Sequence, residues 1–411
     1  MRPYSGDGRR EVVVETTVCV VGGGPAGVVL GLLLARQGVE VVVLEKHADF
    51  LRDFRGDTVH PSTLNLLDEI GLSAALAERP GRAVDDLRVT FDDGTVRVAD
   101  FSRLPGPHRH ILFLPQWDFL DLLAAAAETL PSFTLLRSAE VVSVLRDGPQ
   151  VVGVRTADGR EVRARLTVGC DGRTSAVREL LGLRPREFGA PMDVLWFRLS
   201  RRPDEPAGLD MLVGAGGLML CIDRGDYFQC AYVIAKGGYE TVRAAGLDAF
   251  RERVAARAPR FADRLGELAT WADVRLLTVQ LNRLRHWSVP GALLIGDAAH
   301  AMSPIGGVGI NLAVQDAVAT ARLLGPALAA GTLRDADLAK VERRRRFPTV
   351  VTQGAQRLAQ RRVVDPLLAT TGAVKVPAPL RVLDRTPWLQ RLAARAVGLG
   401  VRPEHFVSRS R

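Results

Sequence analysis

After a polar start, the chain enters an unbroken apolar run, Thr17 to Val21, that stops at a cluster of glycines. A β-branched run without polar alternation is the pattern of a strand covered on both faces. Small and aliphatic residues follow from Ala26 to Gln37 and end at Gly38, as a buried helix does. Val39 to Leu44 is a second apolar run, closed by Glu45. Strand, helix and strand in this order predict a βαβ unit. Pro61 to Ile70 reads as a helix with proline in its first turn and Gly71 past its end. Trp117 to Leu130 reads as another, with Asp118 and Asp121 in its early turns and Pro131 beyond it.

Between these helices the period changes to two. Leu87, Val89 and Phe91, then Thr95, Val96 and Val98, flank Asp92-Asp93-Gly94 as the arms of a hairpin. Residues 135 to 168 read as further strands with turns at Asp147-Gly148 and Asp158-Gly159. A second strand-rich block runs from about Asp193 to Ile234, and Tyr227 to Ile234 is its clearest strand. A helix is expected from about Leu247 to Leu268 and a strand from Val274 to Leu281. A short buried strand, Ala292 to Ile295, precedes a long helix, Ile310 to Leu324. Beyond about Asp335 the pattern is helix and loop, with no internal repeat anywhere.

Three separated segments carry the chemistry. Gly22-x-Gly24-x-x-Gly27, with Pro25 and Ala26 inside it, joins the first strand to the first helix. There Gly22 permits a tight turn, Gly24 lets the backbone approach a pyrophosphate, and Gly27 lets helix and strand pack closely. The phosphate charge meets the positive end of the helix. Glu45, 18 residues after Gly27, is placed to accept hydrogen bonds from an adenosine ribose and to disfavour a 2′-phosphate. This fingerprint by itself does not separate NAD from FAD. Gly296-Asp297 does, because it emerges at the carboxyl end of a strand, where the carboxylate can accept from ribityl hydroxyls that NAD lacks. Pro304, Gly306, Gly307 and Gly309 then make a loop flat enough for an isoalloxazine edge. The helix start at Ile310 and Asn311 offers free N–H groups to the N1/C2=O edge, favouring the anionic reduced ring. Asp171-Gly172-x-x-Ser175 also follows a strand, Leu166 to Val168, and alone is a turn signal.

As a set, Gly22–Gly27, Asp171–Ser175 and Gly296–Asp297 resemble the three hallmark motifs of the group A flavoprotein monooxygenases. That is the family of para-hydroxybenzoate hydroxylase and the ubiquinone-biosynthesis hydroxylases, and the likeness covers nearly all of residues 16 to 345. It implies an α/β fold: a Rossmann-type FAD-binding domain (1–85, 111–188 and 284–345), an inserted mainly β substrate domain (86–110 and 189–283) and a C-terminal helical segment (346–411). It implies that Arg55 and Gln116 also hold FAD, with Arg36 and Lys46 as weaker transfers. Asp171 and Arg173 take a role at the FAD pyrophosphate and in NAD(P)H binding. FAD is expected to be bound non-covalently, NADPH or NADH to dock transiently, and O2 to react at flavin C4a. The resulting hydroperoxide would deliver one oxygen atom to an aromatic, polyketide or quinone-like molecule. The thioredoxin-like C-terminal domain of the longer phenol and polyketide hydroxylases is expected to be lacking.

The substrate is expected between the inserted sheet and the flavin. Phe228, Cys230 and Tyr232 share one side of their strand and are candidates for lining a pocket, with ordinary sheet packing as the competing reading. Arg198 and Trp196 are further candidates, expected on opposite faces. His60 and Asp57, in the loop after Arg55, and Pro304 complete the set. No general base is assigned; His300 is read as a brace for the Gly-Asp loop.

Composition narrows this only slightly. A chain of 411 residues with 47% apolar and 25% charged residues suits two joined soluble domains. No run of about 18 apolar residues is present, the N-terminus lacks a leader pattern, and a cytoplasmic monomer or homodimer is expected. Cys19, Cys170, Cys221 and Cys230 have no metal-ligand spacing and are read as buried thiols, so no metal is expected. The net charge of +9 comes from arginines scattered among acids, which argues against a nucleic-acid partner. The one block, Arg343 to Arg346, is expected to form a solvated helix face. Pro379 to Phe406 mixes apolar residues and arginines, a pattern that suits membrane contact less well than packing on the parent domain. An FAD-dependent reductase that does not use O2, like the geranylgeranyl reductases, is the alternative activity. A basic nucleic-acid-binding protein on a relict cofactor fold is a remote one.

Overall fold

The computed structural model describes residues 12–51, 58–205, 208–214, 217–370 and 372–406. The opening apolar run lies in strand β1 (Val13–Val21), followed by helix α1 (Pro25–Ala35) and strand β2 (Val41–Leu44). Helix α2 (Pro61–Glu69) comes next, then the hairpin β3 (Asp86–Phe91) and β4 (Gly94–Asp100). Helix α3 (Gln116–Glu128) leads into β5 (Phe133–Leu136), β6 (Val141–Asp147), β7 (Gln150–Thr156) and β8 (Glu161–Gly169). Four longer strands follow: β9 (Met192–Ser200), β10 (Leu209–Gly214), β11 (Gly217–Asp223) and β12 (Tyr227–Ala235). Helix α4 (Leu247–Arg257) and the short strands β13 (Arg275–Leu277), β14 (Ser288–Val289) and β15 (Ala292–Leu294) precede the long helices α5 (Val308–Ala329) and α6 (Asp335–Ala359). Helices α7 (Ala378–Asp384) and α8 (Pro387–Gly398) follow.

The first sheet has the order β14-β15-β8-β1-β2-β5, with β7 and β6 added from β8. β15, β8, β1, β2 and β5 are parallel, and Val20 of β1 pairs with both Val43 and Val168. Val18 and Val20 are fully buried because α1, α3 and α5 pack over one face of this sheet. Val21, Leu44 and Val162 meet the antiparallel strands on the other. The second sheet has the order β13-β9-β12-β11-β10-β3-β4, so the hairpin at 86–100 joins strands more than a hundred residues later.

Two expected elements are shorter than their apolar patterns. Helix α4 stops at Arg257 because Pro259 pushes Ala258 out of helical geometry, to φ −137° and ψ 76°. The strand expected at Val274–Leu281 pairs only over Arg275–Leu277; the chain then leaves that sheet and pairs Asn282 with Glu187 in a separate two-stranded ribbon. The helix expected from Ile310 starts at Val308 and runs to Ala329.

The C-terminal residues wrap the molecule. Val374 and Val376 donate their N–H groups to Asp92 and Asp93 at the hairpin turn. Helix α8 lays Ala394 and Gly398 against Phe101 and Leu104, leaving Trp388 and Leu392 exposed among Arg391 and Arg395. Phe406 then packs in the first core and its N–H is held by Glu69. The arginine block is not a solvated face. Only Arg343 is exposed; Arg345 is fully buried, and Arg344, Arg345 and Arg346 bind Glu404, Asp316 and Glu342. One turn of helix points successive residues to different sides, and three of these sides meet acids.

Candidate cofactor site

The strand order places β15, β8 and β1 side by side. The segments 296–297, 170–173 and 22–24 therefore leave the carboxyl ends of three neighbouring parallel strands, where ligands bind in such sheets. Gly22 has φ 106°, and a Cβ on it would lie 2.6 Å from the Cys170 carbonyl oxygen. A Cβ on Gly27 would lie 1.9 Å from the Gly22 carbonyl oxygen. By contrast, nothing lies within 4 Å of the position a Gly24 Cβ would take. Backbone strain and crowding fix the outer two glycines, while the middle one faces open space at the N-terminus of α1. A phosphate fits that space, and no side chain fills it. Gly296, at φ 59°, meets Ala313 and Ala26 and so packs the first and third segments together.

Glu45 is buried, and its carboxylate accepts from the Gly23 N–H at 3.0 Å and the His47 N–H at 2.9 Å. Asp297 accepts from Arg173 Nε at 3.0 Å, which ties the second segment to the third. Among the described residues, Arg173 Nη1 has no hydrogen-bond partner although it is buried there, which leaves a cationic N–H able to meet an anion. Asp171 finds partners within its own turn. Its two oxygens accept from Ser175 Oγ at 2.5 Å and the Val177 N–H at 3.0 Å, so it braces the start of the short helix at 176–180. A groove of about 500 Å³ opens beside this turn, lined by Arg173, Arg178, Arg184, Glu187, Gln280 and Asn282.

Pro304, Gly306 and Gly307 form the expected loop, and Gly306 and Gly307 take left-handed φ of 79° and 64° in succession. That pair of residues swings the chain into the first turn of α5, which contains Gly309 and Ile310. The Asn311 side chain reaches α2, where its Oδ1 accepts from Ser62 Oγ at 2.5 Å and Thr63 Oγ1 at 3.2 Å. His300 does brace the loop. Its Nε2 lies 2.6 Å from Asp316 Oδ2, which also accepts from the Gly296 N–H, while Asp316 Oδ1 accepts from Arg345 Nε at 2.8 Å. Burial opposes the charge on Asp316, but His300 and Arg345 outweigh it and hold the carboxyl below the ordinary range. Asp316 and Glu404 were not singled out from the sequence, and Arg345 was read there only as part of a solvated block. The available signal was the polar pair Gln315-Asp316 within an otherwise apolar helix run, Leu312 to Ala319, which needed buried partners.

Other expected residues move. Phe228, Cys230 and Tyr232 face α4, packed against Phe250, Val254 and Phe261. The opposite face of β12, with Ala231 and Val233, meets Ile305 of the loop, so alternation takes the aromatic pair away from the cofactor side. Trp196 and Arg198 lie two residues apart and share a face instead of opposing each other; Trp196 joins the Ile305 group, while the exposed Arg198 stacks over Tyr227 at 4.9 Å. Arg36 caps the far end of α1, roughly 18 Å from Gly24 at 1.5 Å per residue, out of reach of a phosphate there. Lys46 is exposed just beyond β2, and Gln116 is the first residue of α3. Arg55 and Asp57 lie outside the described residues.

His60 is fully buried rather than lining an open pocket. Its Nδ1 lies 2.9 Å from the Val397 carbonyl oxygen and its Nε2 lies 3.1 Å from that of Gly307. Burial lowers its pKa to about 4 against the opposing pull of both carbonyls. The unfolded imidazole takes a proton near pH 6.5 and the folded one does not, so this contribution is complete above pH 6.5 and is lost as pH falls toward 4. The wild-type protein is expected to lose about 3 kcal/mol of stability through this group over that interval. Urea unfolding at several pH values checks it: His60→Gln must flatten that part of the slope.

The comparisons with known proteins agree with this geometry. Residues 15–355 match the model of the FAD binding domain family. The chain belongs to that family. It is 35% identical over 406 residues to the 6-methylpretetramide 4-monooxygenase of Streptomyces rimosus, covering 95% of each chain. The anhydrotetracycline hydroxylase OxyS of the same organism superposes with a TM-score of 0.72 at 26% identity, over 94% of this chain and 77% of that one. PqsL of Pseudomonas aeruginosa, at 24% identity and a TM-score of 0.73, covers 86% of this chain and 97% of its own and shares the fold. The protein is an FAD-dependent monooxygenase, which sets aside the reductase and nucleic-acid readings. No helix among the described residues is long and apolar enough to cross a membrane.

Proposed function

We propose that this flavoprotein hydroxylates an aromatic polyketide, using NADPH or NADH as electron donor. The observation that carries the site assignment is the convergence of the three segments on neighbouring strand ends around an unfilled glycine cradle. The polyketide class is supported by the full-length likeness to the 6-methylpretetramide enzyme. Bound FAD supplies the electron relay and the oxygen activation.

The protein's own groups bind and orient. The N–H groups at Gly24 and the start of α1 take the pyrophosphate, and Glu45 takes the adenosine ribose. Asp297, steadied by Arg173, takes the ribityl hydroxyls. The loop 304–307 and the free N–H groups of α5 receive the ring edge and favour negative charge on it. The arginine-lined groove beside Asp171 receives the phosphates of the nicotinamide nucleotide. Trp196, Ala231 and Val233, which face the loop, form the apolar side of the substrate site and exclude water from it.

The test is direct. The FAD-loaded protein is mixed with NAD(P)H and a panel of polycyclic aromatic polyketides in oxygen-isotope-labelled O2. Faster NAD(P)H oxidation with one labelled oxygen in the product is expected. Oxidation that leaves every panel compound unlabelled and only converts O2 to peroxide would remove the polyketide reading.

A further inference from the structure

His60 stands between two elements that also pack against each other, through Val397 on Val308 and Leu312. One is Gly307, the last loop residue before α5. The other is Val397, near the end of the C-terminal helix α8. Both ring nitrogens face carbonyl oxygens, at 3.1 and 2.9 Å. Each contact needs an N–H, and a neutral imidazole has one. The neighbouring side chains tighten the same joint. Thr58 Oγ1 donates to the Gly307 carbonyl at 3.1 Å, and Ser62 Oγ lies 3.2 Å from the Gly398 carbonyl oxygen. A Cβ on Gly307 would lie 2.7 Å from Thr58 Oγ1, so the loop is pressed onto the short strand Thr58–Val59 with no room for a side chain.

The Gly307 carbonyl belongs to the same planar peptide as the Val308 N–H, and the two point in opposite directions. Drawing the carbonyl toward Thr58 and His60 turns the Val308 N–H the other way. That N–H opens α5 and has no intrahelical acceptor. We propose that His60, with Thr58, is a positioning residue that sets the direction of the Val308 N–H, and that its single N–H, shared between the Gly307 and Val397 carbonyls, adds to the direct packing of α8 on α5 in coupling the C-terminal helix to the flavin edge. The inference rests on the reading that the ring edge lies at the loop 304–307. His60 touches no reacting atom; it acts through the Gly307 peptide.

Two measurements on the FAD-loaded protein test it. The first is the two-electron potential of the bound flavin. His60→Leu is expected to lower the preference for reduced over oxidised FAD about tenfold, which is about 30 mV for a two-electron couple. His60→Gln, which keeps an N–H donor, is expected to restore most of it. The second is tryptic cleavage of α8 at the exposed Arg391 and Arg395. FAD is expected to slow cleavage about tenfold in the wild type, an ordinary coupling between sites, and to slow it markedly less in His60→Leu. Should His60→Leu fail to fold, Thr58→Val removes the other donor to the same carbonyl and is expected to shift the potential in the same direction. Gly307→Ala reports on the underlying reading. If it shifts the potential while His60→Leu and Thr58→Val do not, the positioning role is overturned and the flavin placement stands. If none of the three shifts it, the placement falls as well.

Discussion

Replacing Gly24 with valine is expected to abolish FAD retention while the apoprotein stays folded. The three fingerprint glycines differ in what surrounds them. Side chains at Gly22 and Gly27 would run into backbone at 2.6 and 1.9 Å, so substitution there disrupts the strand-to-helix turn itself. Gly24 has extended backbone, at φ −78° and ψ −176°, which any residue adopts, and no atom lies within 4 Å of where its Cβ would stand. Valine there is a poorer helix cap, which costs up to about 1 kcal/mol of stability. Its methyl groups then fill the space a pyrophosphate needs and hold the phosphate off the α1 N–H groups. Loss of two close charge-assisted hydrogen bonds, each worth about 1.5–3 kcal/mol, lowers FAD affinity a hundredfold or more. Flavin absorbance after desalting measures retention, and circular dichroism measures folding. A variant that stays yellow would show that the phosphate lies elsewhere.

The second large effect is expected at Asp316. Its carboxylate receives the Gly296 N–H, His300 and Arg345, and both Asp316 and Arg345 are within 1% of complete burial. Asp316→Leu leaves the guanidinium of Arg345 desolvated, with the long contacts to Arg402 and Glu404, at 3.3 and 3.5 Å, as its remaining partners among the described residues. Breaking a buried pair from one side typically costs about 3–5 kcal/mol, because the surviving charge is the penalty. A comparable fall in unfolding free energy is expected in urea. The double variant Asp316→Leu with Arg345→Met removes both charges and is expected to recover most of the loss. If single and double variants were equally destabilised, the stability would come from packing and not from charge compensation. The network also links Gly296, at the cofactor site, to Glu404 near the C-terminus, so the single variant is expected to weaken FAD binding too.

The local parts of this fold were legible in order along the chain. Continuous apolar runs marked β1, β2 and β15, and glycines marked the ends of the first and last, because a parallel strand buried on both faces leaves no room for polar alternation. The cofactor segments were legible for a related reason: tight turns and phosphate cradles demand glycine at particular spacings, and Gly22, Gly27 and Gly307 are held by contacts that exclude a side chain. Strand alternation also placed Phe228, Cys230 and Tyr232 together, as they are.

Which side of the sheet those three residues faced was not legible, because alternation defines two faces without saying which one meets the helix α4 and which the loop. The same limit applied to the arginine block, whose burial depends on acids at 316 and 404 brought near it by folding. Nor does any local pattern link His60 with Val397, 337 residues later. The sequence by itself determined the cofactor class and the strands that present it, since backbone geometry near a phosphate is a short-range constraint. Only the tertiary structure decided which polar groups became buried partners, since charge compensation and carbonyl pairing depend on distances between segments that the chain order does not encode.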